Sequence, residues 1–197
     1  LLVLAQPWIN AEHLAVLSVR ALFAAAIGPR AAAELGDDLP SPDDYEAPFD
    51  AASVEPFPLN EWDELSNALD ENAEYYGYRT SFEVMRGLYD EIGEERMSDL
   101  IASIVRGERA YRGEGAAVDG SGAIDWREFL DLAEQVGGST GLDDRYREIV
   151  VNDAEVDRLD ERDTALDAFT ALEQRGGDWS APEAVRSHMA AWHFDDA

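Results

Sequence analysis

Chemistry in this chain falls to carboxylates and phenols, because imidazole is scarce and thiol is absent. There are three histidines and no cysteine. Zero cysteine removes disulfides, thiolate metal sites and cysteine nucleophiles together. His188 and His193 are five apart, so they do not share a helix face as i, i+4 ligands do. With His13 they cannot build a metal site, and they read as surface or packing residues. No glycine-rich phosphate loop follows a strand, and no Ser-His-Asp order stands out. One set of oxygen donors is spaced for a cation. Asp119, Ser121 and Glu128 fall at positions 3, 5 and 12 of a twelve-residue calcium loop, with Gly122 at position 6 and Ile124 at position 8. The first position, normally aspartate, is Ala117. The incoming helix is broken by Arg112-Gly-Glu-Gly115. Calcium is therefore expected to bind poorly here. A simpler role is that Asp125 caps the next helix, with Glu128 three residues on as its capping-box partner. The Asp cap alone contributes about 1 kcal/mol.

The phenols cluster at Tyr75, Tyr76 and Tyr78, where a long apolar stripe begins. Tyr78, Phe82, Met85, Leu88, Tyr89 and Ile92 recur at steps of 3 and 4, which is one face of a helix. Gly93 follows the last apolar position, where a left-handed residue closes a helix most cheaply. Taken alone, this is the central core helix of the domain, with phenols crowded at its head.

The remaining elements must position these groups, and all read as helices. Trp8 to Ile27 forms one, with Asn10 as cap and Pro29 as stop. Residues 37–58 are a proline-rich acidic loop without helical or strand period. Leu59 to Leu69 suits a short helix. Met97, Leu100, Ile101, Ile104 and Val105 mark a second amphipathic helix, expected antiparallel to the central one across Gly93. Gly107 to Gly122 is irregular. Trp126, Phe129, Leu130, Ala133 and Val136 face the core of the helix capped by Asp125, which ends at Gly137-Gly138. A final core helix covers Asp143 to Val151. Beyond it lies an extension. Leu159, Leu166, Phe169 and Leu172 form an apolar stripe with acids and arginines outside, ending at Gly176-Gly177. Ser180-Ala-Pro-Glu183 reads as a capping box for a last helix carrying Val185, Met189 and Trp192. The expected fold is all-α, a helical bundle of seven to nine helices over residues 1–151 with a helical extension over 152–197.

Charge bounds the partners. The net charge is −28, and all 15 basic residues are arginine. Such a chain repels nucleic acid and anionic membranes. Acidity without lysine suits a salt-rich milieu or a GC-rich genome. No apolar run approaches the ~20 residues that a membrane span needs. The chain opens in mid-pattern with Leu1-Leu-Val-Leu-Ala5 and reads as a piece of a longer protein.

Three segments together resemble the gluzincin peptidases, the zinc metallopeptidases similar to aminopeptidase N and thermolysin. The first is Tyr78 with Met85-Arg-Gly-Leu88 and the closing Ile92-Gly93, which looks like the helix after the family's metal site. Aminopeptidase-N-like members open that helix Tyr-x-Lys-Gly, and here Thr80 and Ser81 stand at the Lys and Gly positions. The second is Pro7-Trp-Ile-Asn-Ala-Glu-His-Leu-Ala15, similar to the family's Trp-Leu-x-Glu-Gly-Leu-Ala, with one extra residue after Trp8 and His13 in place of glycine. The third is the order of the Asp125 helix, the glycine turn at Gly137 and the helix over Asp143 to Val151. The resemblance covers about residues 7–151.

That resemblance implies a zinc-dependent hydrolase acting on a peptide or protein substrate, either secreted, extracytoplasmic or anchored to a membrane through segments outside this chain. Glu12 would be the third zinc ligand, and Tyr78 would stabilise the oxyanion. A carboxylate and a phenol serving one metal must meet, so their oxygens are expected within roughly 8 Å of each other. Tyr76 is the alternative phenol if the register shifts by two. The family's H-E-x-x-H segment, with two zinc histidines and the glutamate base, does not occur here and would precede Leu1. This chain alone is therefore expected to bind no zinc and to hydrolyse no peptide. The competing reading is a non-catalytic acidic helical module that binds a protein or, through an EF-hand-like loop, calcium.

Overall fold

The structure is a computed structural model that describes residues 55–61, 71–112, 124–177 and 179–196, without the side chains of 71–75 and 78. Helices and no strand occur among the described residues, in keeping with the all-α class. The stripe over Tyr78 to Ile92 lies within α1, Glu71–Val105. The helix starts seven residues before Tyr78, so the three tyrosines stand inside it and not at its head. Met85 and Leu88 are fully buried, as the stripe requires, and Val84 joins them.

Gly93 breaks α1 with φ 79° and ψ 174°, the one non-helical residue within it. Glycine takes this conformation without the steric cost that a Cβ imposes. An antiparallel helical hairpin takes a loop of about 2 to 5 residues. Here the two arms, expected as an antiparallel pair, meet at this single non-helical residue with no loop between them. The second arm buries Met97 and Leu100, whereas Val105 is 80% exposed, so its stripe ends a turn early.

Helix α2, Trp126–Gln135, begins where the cap was expected. The Asp125 carboxylate accepts from Glu128 N at 2.9 Å. The reciprocal half of the capping box does not form, because the Glu128 carboxylate pairs with Arg109 instead. The helix ends in two nested turns around a left-handed glycine. Ser139 N donates to Ala133 O and Gly138 N to Glu134 O, both at 3.0 Å, with Gly138 at φ 68°. Each bond spans one residue more than in a Schellman motif, and glycine takes the left-handed conformation at position 138 without the steric cost of a Cβ. Trp126, Phe129, Leu130 and Ala133 are buried, but Val136 is partly exposed beyond the last turn.

Helix α3, Leu142–Arg145, continues as a π turn over Tyr146–Val150, closed by Val151 N donating to Tyr146 O at 3.0 Å. Its path is set by α1. A Cβ on Gly141 would lie 3.4 Å from Glu91, and one on Gly87 would lie 1.3 Å from Arg145 Nη1. The two contacts step by one turn in opposite directions, so α3 runs antiparallel to the first arm. The Arg145 guanidinium occupies the space that any side chain at position 87 would need.

Helix α4, Asp153–Gly176, is capped by Asn152, whose Oδ1 accepts from Glu155 N at 3.1 Å. Asn152 also donates to Glu61 at 2.7 Å, which fastens the short 3-10 turn Leu59–Glu61 to this end of the fold. The arginines of α4 were expected outside, yet Arg162 is 1% exposed. It sits between Leu159 and Leu166 in the apolar stripe, and the carboxylates described below compensate its charge. Leu172, expected inside, is 41% exposed.

Helix α5, Glu183–Ala190, starts without a side-chain cap, and Pro182 precedes it with extended ψ 144°. The capping box read at Ser180 is therefore absent, since a residue before proline is pushed out of helical geometry and Ala181 holds that place. A last 3-10 turn, Phe194–Asp196, closes the described chain. Leu159, Phe169, Ala181, Met189 and Trp192 share one core with Met85, Leu88, Leu130 and Tyr146. The segment beyond residue 151 thus packs into the same interior as the helices before it. Among the described residues no helix is long and apolar enough to cross a membrane.

Candidate functional site

The residues singled out for chemistry fall unevenly on this frame. Glu12, Asp119 and Ser121 lie outside the described residues, and with them the expected meeting of Glu12 and Tyr78. Tyr78 is placed by its backbone alone, seven residues into α1. The alternative phenol, Tyr76, is half-buried with its ring 4.8 Å from that of Phe57, tilted by 50°. Thr80 and Ser81, one turn on, are buried. His188 and His193 stand with ring centroids 6.3 Å apart, His188 half-buried and His193 exposed. Among the described residues no group of three or more His, Asp or Glu is arranged to hold a metal ion.

Glu91, at the far end of the first arm, does helix-capping work across the fold. Its carboxylate accepts from Thr140 N at 2.6 Å, Gly141 N at 2.9 Å and Ser139 Oγ at 2.9 Å. These are free donors at the head of α3. Burial would raise its pKa, but the hydrogen bonds from Thr140, Ser139 and Gly141 outweigh that and hold it below the ordinary carboxylate value. Glu91 is therefore a fixed anion, not a base.

Glu128 is the calcium-loop candidate that the structure describes. It is 8% exposed, with Oε2 paired to Arg109 and Oε1 without a hydrogen-bond partner in the protein. Burial pushes its pKa up to about 7; Arg109 acts against that rise, while Asp125 and Asp131 add to it. A calcium loop needs this glutamate to give both oxygens to the ion. Here a guanidinium already holds one of them. Calorimetric titration with calcium at moderate salt is expected to show no tight site. A micromolar site lost in Glu128→Gln would instead establish the calcium-binding module.

Among the described residues the most deeply buried carboxylate is Asp131, one turn further along α2 and 1% exposed. Its Oδ1 accepts from Tyr111 OH at 2.9 Å and Arg162 Nε at 2.7 Å, and its Oδ2 accepts from Trp192 Nε1 at 2.8 Å. Arg162 also donates to Glu134 at 2.6 Å, so one guanidinium serves two carboxylates. Burial raises the pKa of Asp131, and Arg162, Trp192 and Tyr111 all oppose the rise. Burial likewise lifts the Tyr111 phenol, with Asp131 adding to it. Tyr111 and Trp192 share another property. They have φ of 65° and 55°, the positive-φ non-glycine residues of the described chain. Each such backbone costs roughly 1–2 kcal/mol, and both side chains end on the same carboxylate.

Chemically, this arrangement is a clasp. Three of the carboxylate's roughly four acceptor sites are taken by donors of the chain itself, and the group lies out of reach of solvent. Sequence spacing does not find it, because its donors lie 20, 31 and 61 positions away. The available signal was a charge inside an apolar stripe: Arg162 between Leu159 and Leu166, and Asp131 among Phe129, Leu130, Leu132 and Ala133. A buried charge in such a place demands a partner of opposite sign. Comparison with protein-family models, with curated proteins and with solved structures found no match.

Proposed function

We propose that this chain is the C-terminal helical portion of a gluzincin-like zinc metallopeptidase, inactive by itself and completed by an H-E-x-x-H segment before Leu1. What supports this reading is the order of elements along the chain. A helix carrying Tyr78 breaks at Gly93 and continues to residue 105, then come the Asp125-capped helix, the glycine turn and a closing helix over residues 142–150. The resemblance implies the same succession. In this reading Glu12 would hold a zinc ion together with two upstream histidines, and the ion would supply Lewis-acid chemistry at the scissile carbonyl. The Tyr78 phenol donates a hydrogen bond to the oxygen on which charge develops. Peptide-bond hydrolysis then belongs to the intact protein, on a peptide or protein substrate.

The test uses the longer native chain, including whatever precedes Leu1. Stoichiometric zinc and peptidase activity are expected. Tyr78→Phe should lower kcat by about 10²–10³, the usual loss for one oxyanion donor, with helical circular dichroism unchanged. Glu12→Gln should lower zinc occupancy. A longer chain that carries no H-E-x-x-H and binds no zinc would end this reading in favour of an acidic helical binding module.

A further inference from the structure

We infer that the C-terminal segment over residues 179–196 and the turn over residues 109–112 form one cooperative unit coupled through Asp131, so that undocking either loosens the other. The turn is held from two sides. On the α2 side, Tyr111 N donates to Gln135 Oε1 at 2.8 Å, Tyr111 OH donates to Asp131, and Arg109 pairs with Glu128. On the α5 side, Arg186 donates to the Arg112 carbonyl at 2.8 Å, and Arg112 donates to Ser187 Oγ at 3.3 Å.

The chain end is held by the same centre. Trp192 gives its indole N–H to Asp131, and its carbonyl accepts from Arg158 at 2.6 Å. Its ring stands edge-on to Trp126 at 5.4 Å and against Phe194 at 5.5 Å. Neither docking is self-sufficient. Tyr111 and Trp192 both hold backbone conformations that L-residues avoid, and such conformations persist only where surroundings over-determine them. Their common anchor is one buried carboxylate with the Arg162 guanidinium beside it. When Trp192 leaves, Oδ2 is left buried and unpaired, and Asp131 holds Tyr111 in a less favourable state. The reverse follows when Tyr111 leaves, because equilibrium coupling is reciprocal. The coupling reaches Arg109 in the same turn, so docking of the chain end bears on the charge pairing of Glu128.

Amide hydrogen exchange on the full chain tests this, with Trp192→Phe and Tyr111→Phe removing one donor each while keeping a ring. Trp192→Phe is expected to speed exchange at the Tyr111 amide by at least about fivefold. Tyr111→Phe should speed the His193 amide, which bonds His188 O at 2.9 Å, by a similar factor. The size follows from the coupling range of contacting residues in one network. Amides in the first arm of α1 should stay unchanged, which separates local undocking from global unfolding. Arg158→Ala frees the Trp192 carbonyl without touching Asp131, and it too should speed Tyr111. Acceleration confined to each variant's own segment, with less than a twofold effect across Asp131, would overturn the proposal.

Discussion

Asp131→Ala is expected to cost about 3–5 kcal/mol of unfolding free energy, the range for removing one partner of a buried ion pair. Arg162 at 1% exposure would keep its charge in the interior, with Glu134 as its remaining close partner. Tyr111 OH and Trp192 Nε1 would lose their acceptor, and a buried donor left unmade costs about 1–3 kcal/mol. These terms overlap and do not add, since all three donors share one oxygen pair. Against a typical domain stability of about 5–15 kcal/mol, the loss is large enough to bring the variant near its unfolding midpoint. Asp131→Asn keeps the shape but turns a donor toward one of the present donors, so it should recover only part of the loss. Urea titration followed by circular dichroism reads the midpoint shift. A loss below about 1 kcal/mol, the level of an ordinary substitution, would show that water or rearrangement replaces the clasp.

The clasp also shows where sequence stops being informative. Helices were legible because their causes are local. Phe82, Met85 and Leu88 repeat at helical steps, Asp125 caps α2, and Gly93, Gly138 and Gly177 adopt the positive φ that ends or breaks a helix. Each signal acts within a turn or two of the residue that carries it. The partners of polar side chains were not legible for the opposite reason. Glu128 has a local option at Asp125 and a distant one at Arg109, and the fold chooses the distant one. Arg162 was assigned to solvent by its charge alone, although its place in the stripe contradicted that. The Ser180 capping box failed because Pro182 governs the backbone before α5 more strongly than a hydroxyl can. Of the site drawn from the resemblance, only the backbone position of Tyr78 falls among the described residues.

Stability is expected to fall as pH rises from about 5 to 8, and Glu128→Gln should remove most of that fall. The sign follows from proton counting. In the folded chain Glu128 holds its proton up to about pH 7, because burial penalises its charged form more than Arg109 rewards it, whereas the ordinary value is 4.5. Between these two values the folded chain binds more protons than the unfolded one, so raising the pH favours unfolding. The contribution is fully present below the unfolded pKa and is lost as pH rises through the folded one. A pKa difference of this size corresponds to roughly 3 kcal/mol at about 1.4 kcal/mol per unit. Asp131 and Glu134 are also raised by burial and push in the same direction, while Glu91 is lowered and acts at more acidic pH. Subtracting the Glu128→Gln profile from that of the native chain isolates the one group. Arg109→Ala should make the difference larger, since it removes the charge that favours ionised Glu128. The measurement is unfolding free energy by urea titration at half-unit pH steps. Parallel profiles for the native chain and Glu128→Gln would mean that the Arg109 contact keeps Glu128 ionised throughout, and the expectation of a neutral-range titration would fail.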